Sequence, residues 1–449
     1  MEKTIKIRKG LDLNLAGVAQ QQLHKAAPAQ VYALVPDDFH GVKPRPVVKE
    51  GTHVKAGETL FVNKNDERVR FVSPVSGTVK AIERGERRKI LSIQVTPDNE
   101  TTYESFDIPQ GEALMADSLL ELLLASGLFA FFRSRPYDVV ASPDDKPRGI
   151  FVSTFSKMPL AADFSFVLQG QETDFQQGIT ALSLLAPVSV GICPEQEDVL
   201  GQLSNAKVYV FDGPNPSGNV GVQINHIAPI NKGETVWTLG AEEVIFIGRL
   251  LRTGQTDLTR RIALAGSDML HPQYVETKIG ARLDSLVKSG TATDHSVRLI
   301  DGNPLVGRKT DELHFLGAHT TEVCAIPEGD DRDEVLGWIA PRLNDYSTSR
   351  SYFSWLQGKS RHYNLDCRIK GGQRHMIMSG EYDRVFPMDI YAGYLVKAII
   401  TGNIDRQEEL GIYEVAPEDF AVAEFVDSSK LELQRIVREG LDILRKENS

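Results

Sequence analysis

The sequence predicts a multidomain protein of mixed α/β and α+β class. Three observations lead there. At 449 residues, 41% hydrophobic and 25% charged, the chain has the length of about three domains and enough apolar content to give each a core. Two stretches near the amino terminus, RPVVKEGTHVKAGETL (45–60) and SPVSGTVKAIERG (73–85), set Val at strand positions and Gly at turns. Between Tyr137 and Gly254, short β-branched runs alternate with segments of helical spacing, the order of a largely parallel sheet.

The opening MEKTIKIRKG alternates charge with Ile, a strand pattern and not a signal peptide. The two Val/Gly stretches resemble the biotinyl/lipoyl barrel-sandwich family and place that module in residues 1–100. In that family the modified lysine stands at a hairpin tip, eight residues before the proline of an A/S-P-x-x-G turn. Here the proline is Pro74, and the count falls on Asp66, whose carboxylate cannot hold biotin or lipoate through an amide. Lys64 is two residues away and reaches the tip only if the loop length shifts. The module is expected to lack an acceptor lysine and to serve as a docking unit.

Residues 101–256 read as a Rossmann-like α/β domain. GIFVSTF (149–155), PVSVGIC (187–193) and KVYVFDG (207–213) are strand-like. DFQQGITALSLLA (174–186) and EDVLGQLSNA (197–206) have helical spacing, and WTLGAEEVIFIGRLLRTG (237–254) closes the domain as a helix. The fold suggests a nucleotide, but the loops do not. No GxGxxG follows any of these strands. GNVG (218–221) precedes QINHIAP, which reads as extended, so no helix N-terminus is expected behind it to hold a phosphate.

After Gly254 the order is strand, strand, helix, strand: RRIALAG (260–266), YVETKIG (274–280), ARLDSLVKSG (281–290) and VRLIDGNPLVG (297–307), with CAIPEG (324–329) as a further strand. Residues 257–330 are therefore expected to form a β-grasp-like module. DEVLGWI (333–339) leads into NDYSTSRSYFSWL (344–356), and 331–449 are expected to be mainly helical. MDIYAGYLVKAIITGN (388–403) is amphipathic, and KLELQRIVREGLDILRKE (430–447) ends in the Lys and Arg that a helix dipole favours.

Several function classes fall away. The formal net charge of −11 argues against a nucleic-acid partner and gives no attraction to an anionic bilayer. The most apolar run, Leu119 to Phe132, is shorter than the roughly 20 residues a membrane span needs. Cys193, Cys324 and Cys367 form no CxxC, so no zinc or iron–sulfur site is expected, and a reduced, cytoplasmic setting fits. His226, His271, His314, His319 and His375 are scattered without HExxH and read as structural or surface residues. No G-x-S-x-G and no paired acid motif occurs, so no catalytic residue is assigned.

One segment stands apart: ASGLFAFFRSRPYD (125–138). Its aromatic-basic cluster Phe131, Phe132, Arg133, Arg135 and Tyr137 has two readings. It is a packed helix-to-strand connection with its arginines reaching outward, or, as the family resemblance set out next implies, it is part of a quinone-headgroup pocket or a docking edge toward partner subunits.

Together, DDFHGVKPRPVVKEGTHVKAGETLF, SPVSGTV, ASGLFAFFRSRPYD, VWTLGAEEVIFIGRL, GEYDRVFPMDI and PEDFAVAEF resemble the A subunits of the bacterial Na+-translocating NADH:quinone oxidoreductases, from about Lys6 to the C-terminus. The family is related to the NADH-binding flavoprotein subunit of complex I and to the C subunit of the Rnf complex. There a similarly placed glycine-rich segment cradles FMN; here Phe129, Phe131, Phe132 and Arg133 fill that space. The resemblance implies a peripheral subunit on the cytoplasmic face of the bacterial inner membrane. It implies a six-subunit translocase that oxidises NADH, reduces a quinone such as ubiquinone and exports Na+. It places the flavins and the iron–sulfur centre on other subunits, leaves this chain without a redox cofactor and inactive by itself, makes quinone a candidate ligand, and has partner subunits hold the chain to the membrane. The alternative is a scaffold subunit of an Rnf-like complex with no quinone contact. A biotin/lipoyl carrier and a self-sufficient NADH or flavin enzyme are the readings to be tested against it.

Overall fold

Four sheets organise the chain, and the sequence threads between them more than its linear division suggests. The computed structural model describes residues 2–109, 111, 114–288, 290–330, 342–348, 350, 352–358, 361–377 and 380–448; the DEVLGWI stretch lies outside them. The alternating amino terminus does form a strand, Lys3–Lys6, but it runs parallel to Lys207–Asp212, about two hundred residues away in sequence. The next strand, Gln20–Lys25, joins a different sheet by pairing with Gln273–Lys278. Residues 2–25 thus tie other units together, and the first module proper begins at the strand Tyr32–Leu34.

That module is mixed β: a four-stranded sheet (Tyr32–Leu34, Ile90–Pro97, Gly77–Arg84, His53–Val54) and a three-stranded one (Pro44–Pro46, Thr59–Asn63, Asp66–Val72). Alternation sends Leu60, Val69, Phe71, Val79, Ile93 and Val95 inward. The hairpin differs from the sequence count. Asn63 pairs with Asp66, so Lys64 and Asn65 form its tip and Asp66 begins the return strand. The cause is a register shift after Val62, which pairs with Arg70. Asp66 is turned to Arg68, which also forms paired bonds to Asp144 at 2.6 and 3.0 Å.

The central sheet has seven strands in the order Lys3–Lys6, Lys207–Asp212, Val188–Ile192, Ile150–Ser153, Val236–Thr238, Arg133–Arg135, Val139–Val140. The first five pair in parallel and the last two antiparallel. Sequence order runs outward from Ile150–Ser153 in one direction, while Val236–Thr238 sits on its other side, so the strand order reverses between these two. Helices at Glu172–Leu185 and Ala241–Thr253 pack against each other. The 197–206 segment is helical only over Glu197–Leu200, and the closing helix is preceded by the strand Val236–Thr238. Val220–Ile227 is an α-helix, not extended chain.

The third layer is a six-stranded sheet: Arg308–Thr310, Val297–Asp301, Glu322–Pro327, Thr259–Ala265, Gln273–Lys278, Gln20–Lys25. Its expected helix shrinks to Asp284–Val287. The C-terminal helices Ala392–Ile400 and Leu433–Glu447 bury Leu395, Val396, Val437, Leu441 and Leu444 in a cluster that also takes in Ile7 and Phe211. Among the described residues no helix is long and apolar enough to cross a membrane.

Candidate functional site

A cleft of ≈ 630 Å³ opens at the carboxyl ends of Ile150–Ser153 and Val236–Thr238, the point where the strand order reverses. Open α/β sheets bind ligands at such a place, because loops diverging to either side leave a crevice there. Ser153, Thr154 and Phe155 line it from one strand end, and Thr238, Leu239 and Gly240 from the other. The six-stranded sheet contributes Asp301, His319 and Glu322, and the C-terminal region contributes Glu418, Gln434 and Arg438.

Of the five residues singled out in sequence, three reach this cleft: Phe131, Arg133 and Arg135. Phe132 does not. It is fully buried, stacked on Phe129 at 5.2 Å and set edge-on to Trp237 at 5.5 Å. Tyr137 faces the C-terminal helix, where its hydroxyl accepts from Asn448 at 3.2 Å and its carbonyl from Arg438 at 2.6 Å. Phe131 keeps one edge for the cleft while meeting Phe39, Phe246 and His319.

Arg135 does not reach outward. It is 1% exposed, and its guanidinium lies 3.0 Å from Glu418 and 3.6 Å from both Asp138 and Asp419. Burial opposes its charge, but Asp138, Asp419 and Glu418 outweigh that and hold it protonated. Arg135 therefore fastens the C-terminal region onto the central sheet. Arg133 is freer: its side chain is 39% exposed and Asp138 is 3.8 Å away.

Both helices that begin at the cleft already have an acid beside their first turn. Ala241–Thr253 starts with Glu242 and Glu243, and a Cβ on Gly240 would sit 2.0 Å from Glu243 Oε2. Against Val220–Ile227 lies Asp419, so close that a Cβ on Gly221 would sit 2.3 Å from its Oδ2. The helix expected to be absent behind GNVG is thus present, but a carboxylate occupies its start. Helix N-termini attract anions, and here the chain places its own acids against them, Glu243 ionised and Asp419 pushed up to about 7 by burial. A phosphate would meet these carboxylates rather than open N–H groups.

Arg260 organises the other wall. It is 0% exposed, with Nε 2.9 Å from Glu242 Oε2, a close pair to Glu243, and Nη1 donating to the carbonyls of Ala318 and Thr320. Burial pushes Glu242 up to about 7. Burial also opposes ionisation of Glu243, but Arg260 and His319 outweigh it and hold that carboxyl at about 2. His319 is pulled below the usual imidazole range by burial and by the nearby Arg133, which favours a neutral ring. His319 and the Arg260 cluster give no sequence signal, since their partners come from distant segments. Among the described residues no group of three or more His, Cys, Asp or Glu is placed to hold a metal.

Fold and site together define a multidomain α/β protein with a β module at its amino end and a mixed apolar and charged cleft at the reversal of its central sheet. The amino-terminal region matches the model of the NqrA N-terminal barrel-sandwich hybrid domain over residues 5–98. Residues 114–256 match the NqrA second alpha/beta domain, and 261–312 the NQRA C-terminal domain. Proteins named as the A subunits of Na(+)-translocating NADH-quinone reductases are similar along the whole chain. The one from Hahella chejuensis is 35% identical over 448 residues, covering 99% of this chain and 100% of its own. The one from Haemophilus influenzae is 35% identical over 449 residues with the same coverage, and that from Rhodopirellula baltica is 34% identical over 453 residues, covering 99% of each. A chain of an NAD+-reducing [NiFe]-hydrogenase shares 12% identity over 51% of this chain and 52% of its own at a TM-score of 0.34, too slight a likeness to carry argument. The chain belongs to the family of Na(+)-translocating NADH-quinone reductase A subunits and so to a multi-subunit NADH-quinone reductase.

Proposed function

We propose that this chain is a peripheral subunit on the cytoplasmic face of a six-subunit bacterial complex that couples NADH oxidation and quinone reduction to Na+ export. It carries no redox centre and contributes its cleft to the quinone site. The observation that carries this reading is the cleft's chemistry. Phe131, Phe155, Met158 and Leu239 give apolar surface, Arg133 gives hydrogen-bond donors, and His319 adds an imidazole edge to the wall. The adjoining helix ends already hold Glu243 and Asp419. A quinone headgroup is flat and uncharged, with two carbonyl acceptors, so it needs apolar walls and donors. A flavin or dinucleotide needs a phosphate site, and the acids at the helix ends disfavour one. The cleft's volume lies within the ~300–1,000 Å³ typical of small-molecule sites.

The parallel core of the central sheet supports a Rossmann-like origin, and the mixed six-stranded sheet supports a β-grasp-like one. In this reading the ancestral nucleotide site has been filled by the chain's own acids, and partner subunits bind the chain to the membrane and hold the flavins and the iron–sulfur centre.

The test uses the assembled complex with Arg133→Ala. Loss of that donor should lower kcat/KM for quinone by roughly tenfold, on the order of 1–2 kcal/mol for one hydrogen bond. NADH oxidation with an artificial acceptor should be unchanged. Normal quinone kinetics in an assembled variant would reduce the chain's role to scaffolding.

A further inference from the structure

The helix Ala392–Ile400 buries Ala392, Leu395, Val396, Ala398 and Ile399, which fix it to the C-terminal core. Its outer surface is not simply polar. Tyr391 is 70% exposed, Tyr394 60% and Ile400 52%, with exposed Lys397 between them. The spacing of three makes each the neighbour of the next, along a strip that winds round the outside of the helix. The two tyrosine rings stand at 90° with centroids 6.2 Å apart. Beside them Ile377, Gly380, Tyr382, Asp383 and Gly393 enclose a crevice of ≈ 40 Å³. That space is about the size of the end of one aliphatic side chain, several times the ~10–15 Å³ that admits a water.

Scattered exposed apolar residues need no explanation, but a rigid aromatic strip beside a crevice does. Its charges are also unspent. Among the described residues neither Asp383 nor Lys397 has an opposite charge within 4.0 Å. A bilayer suits this poorly: Asp383 would face lipid phosphates, and the chain carries a net charge of −11.

We propose that the strip formed by Tyr391, Tyr394, Lys397 and Ile400, with the adjoining crevice, docks a partner subunit of the NADH-quinone reductase. The occupant is a segment that inserts an aliphatic side chain between the tyrosines and Ile377, with a Lys or Arg to meet Asp383 and an Asp or Glu to meet Lys397. This rests on the chain's place in that complex, and it assigns a contact where the cleft argument assigns none. Tyrosines in such a position are typical binding hot spots, so losing both should weaken docking by roughly tenfold or more.

The experiment expresses the tagged full chain with the other subunits of its complex and measures how much of them it retains. Tyr391→Ser combined with Tyr394→Ser should leave the unfolding midpoint of the purified chain unchanged and cut retention at least ~10-fold. Asp383→Lys provides a second variant, with charge reversal and no aromatic loss, and should also cut retention. Full retention by both variants overturns the proposal while leaving complex membership intact. If the unaltered chain retains no partner, membership itself fails and the proposal falls with it. Binding of the chain to phosphatidylcholine vesicles that is lost in the tyrosine variant would mark the strip as a lipid contact and overturn the proposal.

Discussion

Replacing Arg135 by Ala should act on stability first. Arg135 is 1% exposed and is the shared cation of Asp138, Glu418 and Asp419. Its loss leaves Asp419, 0% exposed at its side chain, with no opposite charge within 4.0 Å among the described residues, while Asp138, 12% exposed, keeps Arg133 at 3.8 Å and Arg438 at 4.0 Å. Breaking a buried pair by removing one partner costs about 3–5 kcal/mol. In a cooperative unit of ~200 residues that corresponds to a Tm loss of roughly 6–20 °C. The loss should begin with the C-terminal region, because Glu418 and Asp419 are one of its attachments to the central sheet. The carboxylates can take up protons once the cation is gone, so the penalty should shrink at pH 5 and grow at pH 8. Scanning calorimetry at both pH values, with limited proteolysis read for cleavage after residue 400, would check this. Arg135→Ala with unchanged Tm at both pH values and a raised KM for quinone would refute the reasoning, making Arg135 a ligand contact instead of a fastening.

Three further outcomes are expected. Glu242 is raised to about 7, so the folded state binds a proton that the unfolded chain releases near pH ~4.3, and stability should fall as pH rises from about 5 to 8. Glu242→Gln should flatten that decline in part, since Asp419, also pushed up to about 7 by burial, acts in the same direction; an unaltered pH profile would count against the assignment. Calorimetry should detect no saturable micromolar NADH binding to the isolated chain, because Glu243 and Asp419 occupy the starts of the helices where a phosphate would lie. Intact mass after coexpression with biotin or lipoate ligase should be unchanged, although Lys64 does stand at the hairpin tip; a gain matching either group would revive the carrier reading.

The parts legible in sequence are those set by local rules. Alternation of Val with polar residues locates the strands of the first module, and the amphipathic pattern of 430–447 locates the helix Leu433–Glu447. Val220–Ile227 defeats those rules for a local reason too. Val220, Val222 and Ile224 recur at a period of two and are β-branched, which imitates a strand. Tertiary burial of Gly221, Val222, Gln223 and Ile224 together decides for the helix. Counting back from Pro74 fails at the hairpin because a register shift is invisible to a count.

The site is less legible because its chemistry is made by long-range pairs. The segment 129–138 is conspicuous in sequence, yet residue type alone cannot sort its members. Phe131 and Phe132 are identical neighbours in sequence; the strand that follows sends one toward the cleft and leaves the other against Trp237. Arg133 and Arg135 share one strand and one side-chain parity, so alternation sends both toward the same face. What separates them is distance from Glu418 and Asp419, residues more than 280 positions away, which reach Arg135 and leave Arg133 beside the cleft. Asp419 also closes the start of Val220–Ile227. One ion cluster therefore both joins the C-terminal region to the sheet and fills the place a phosphate would take. A chain built this way keeps a parallel sheet core beside a cleft lined by its own acids, and the substitutions that would separate the proposed ligand role from the fold are Arg133 for the one and Arg135 for the other.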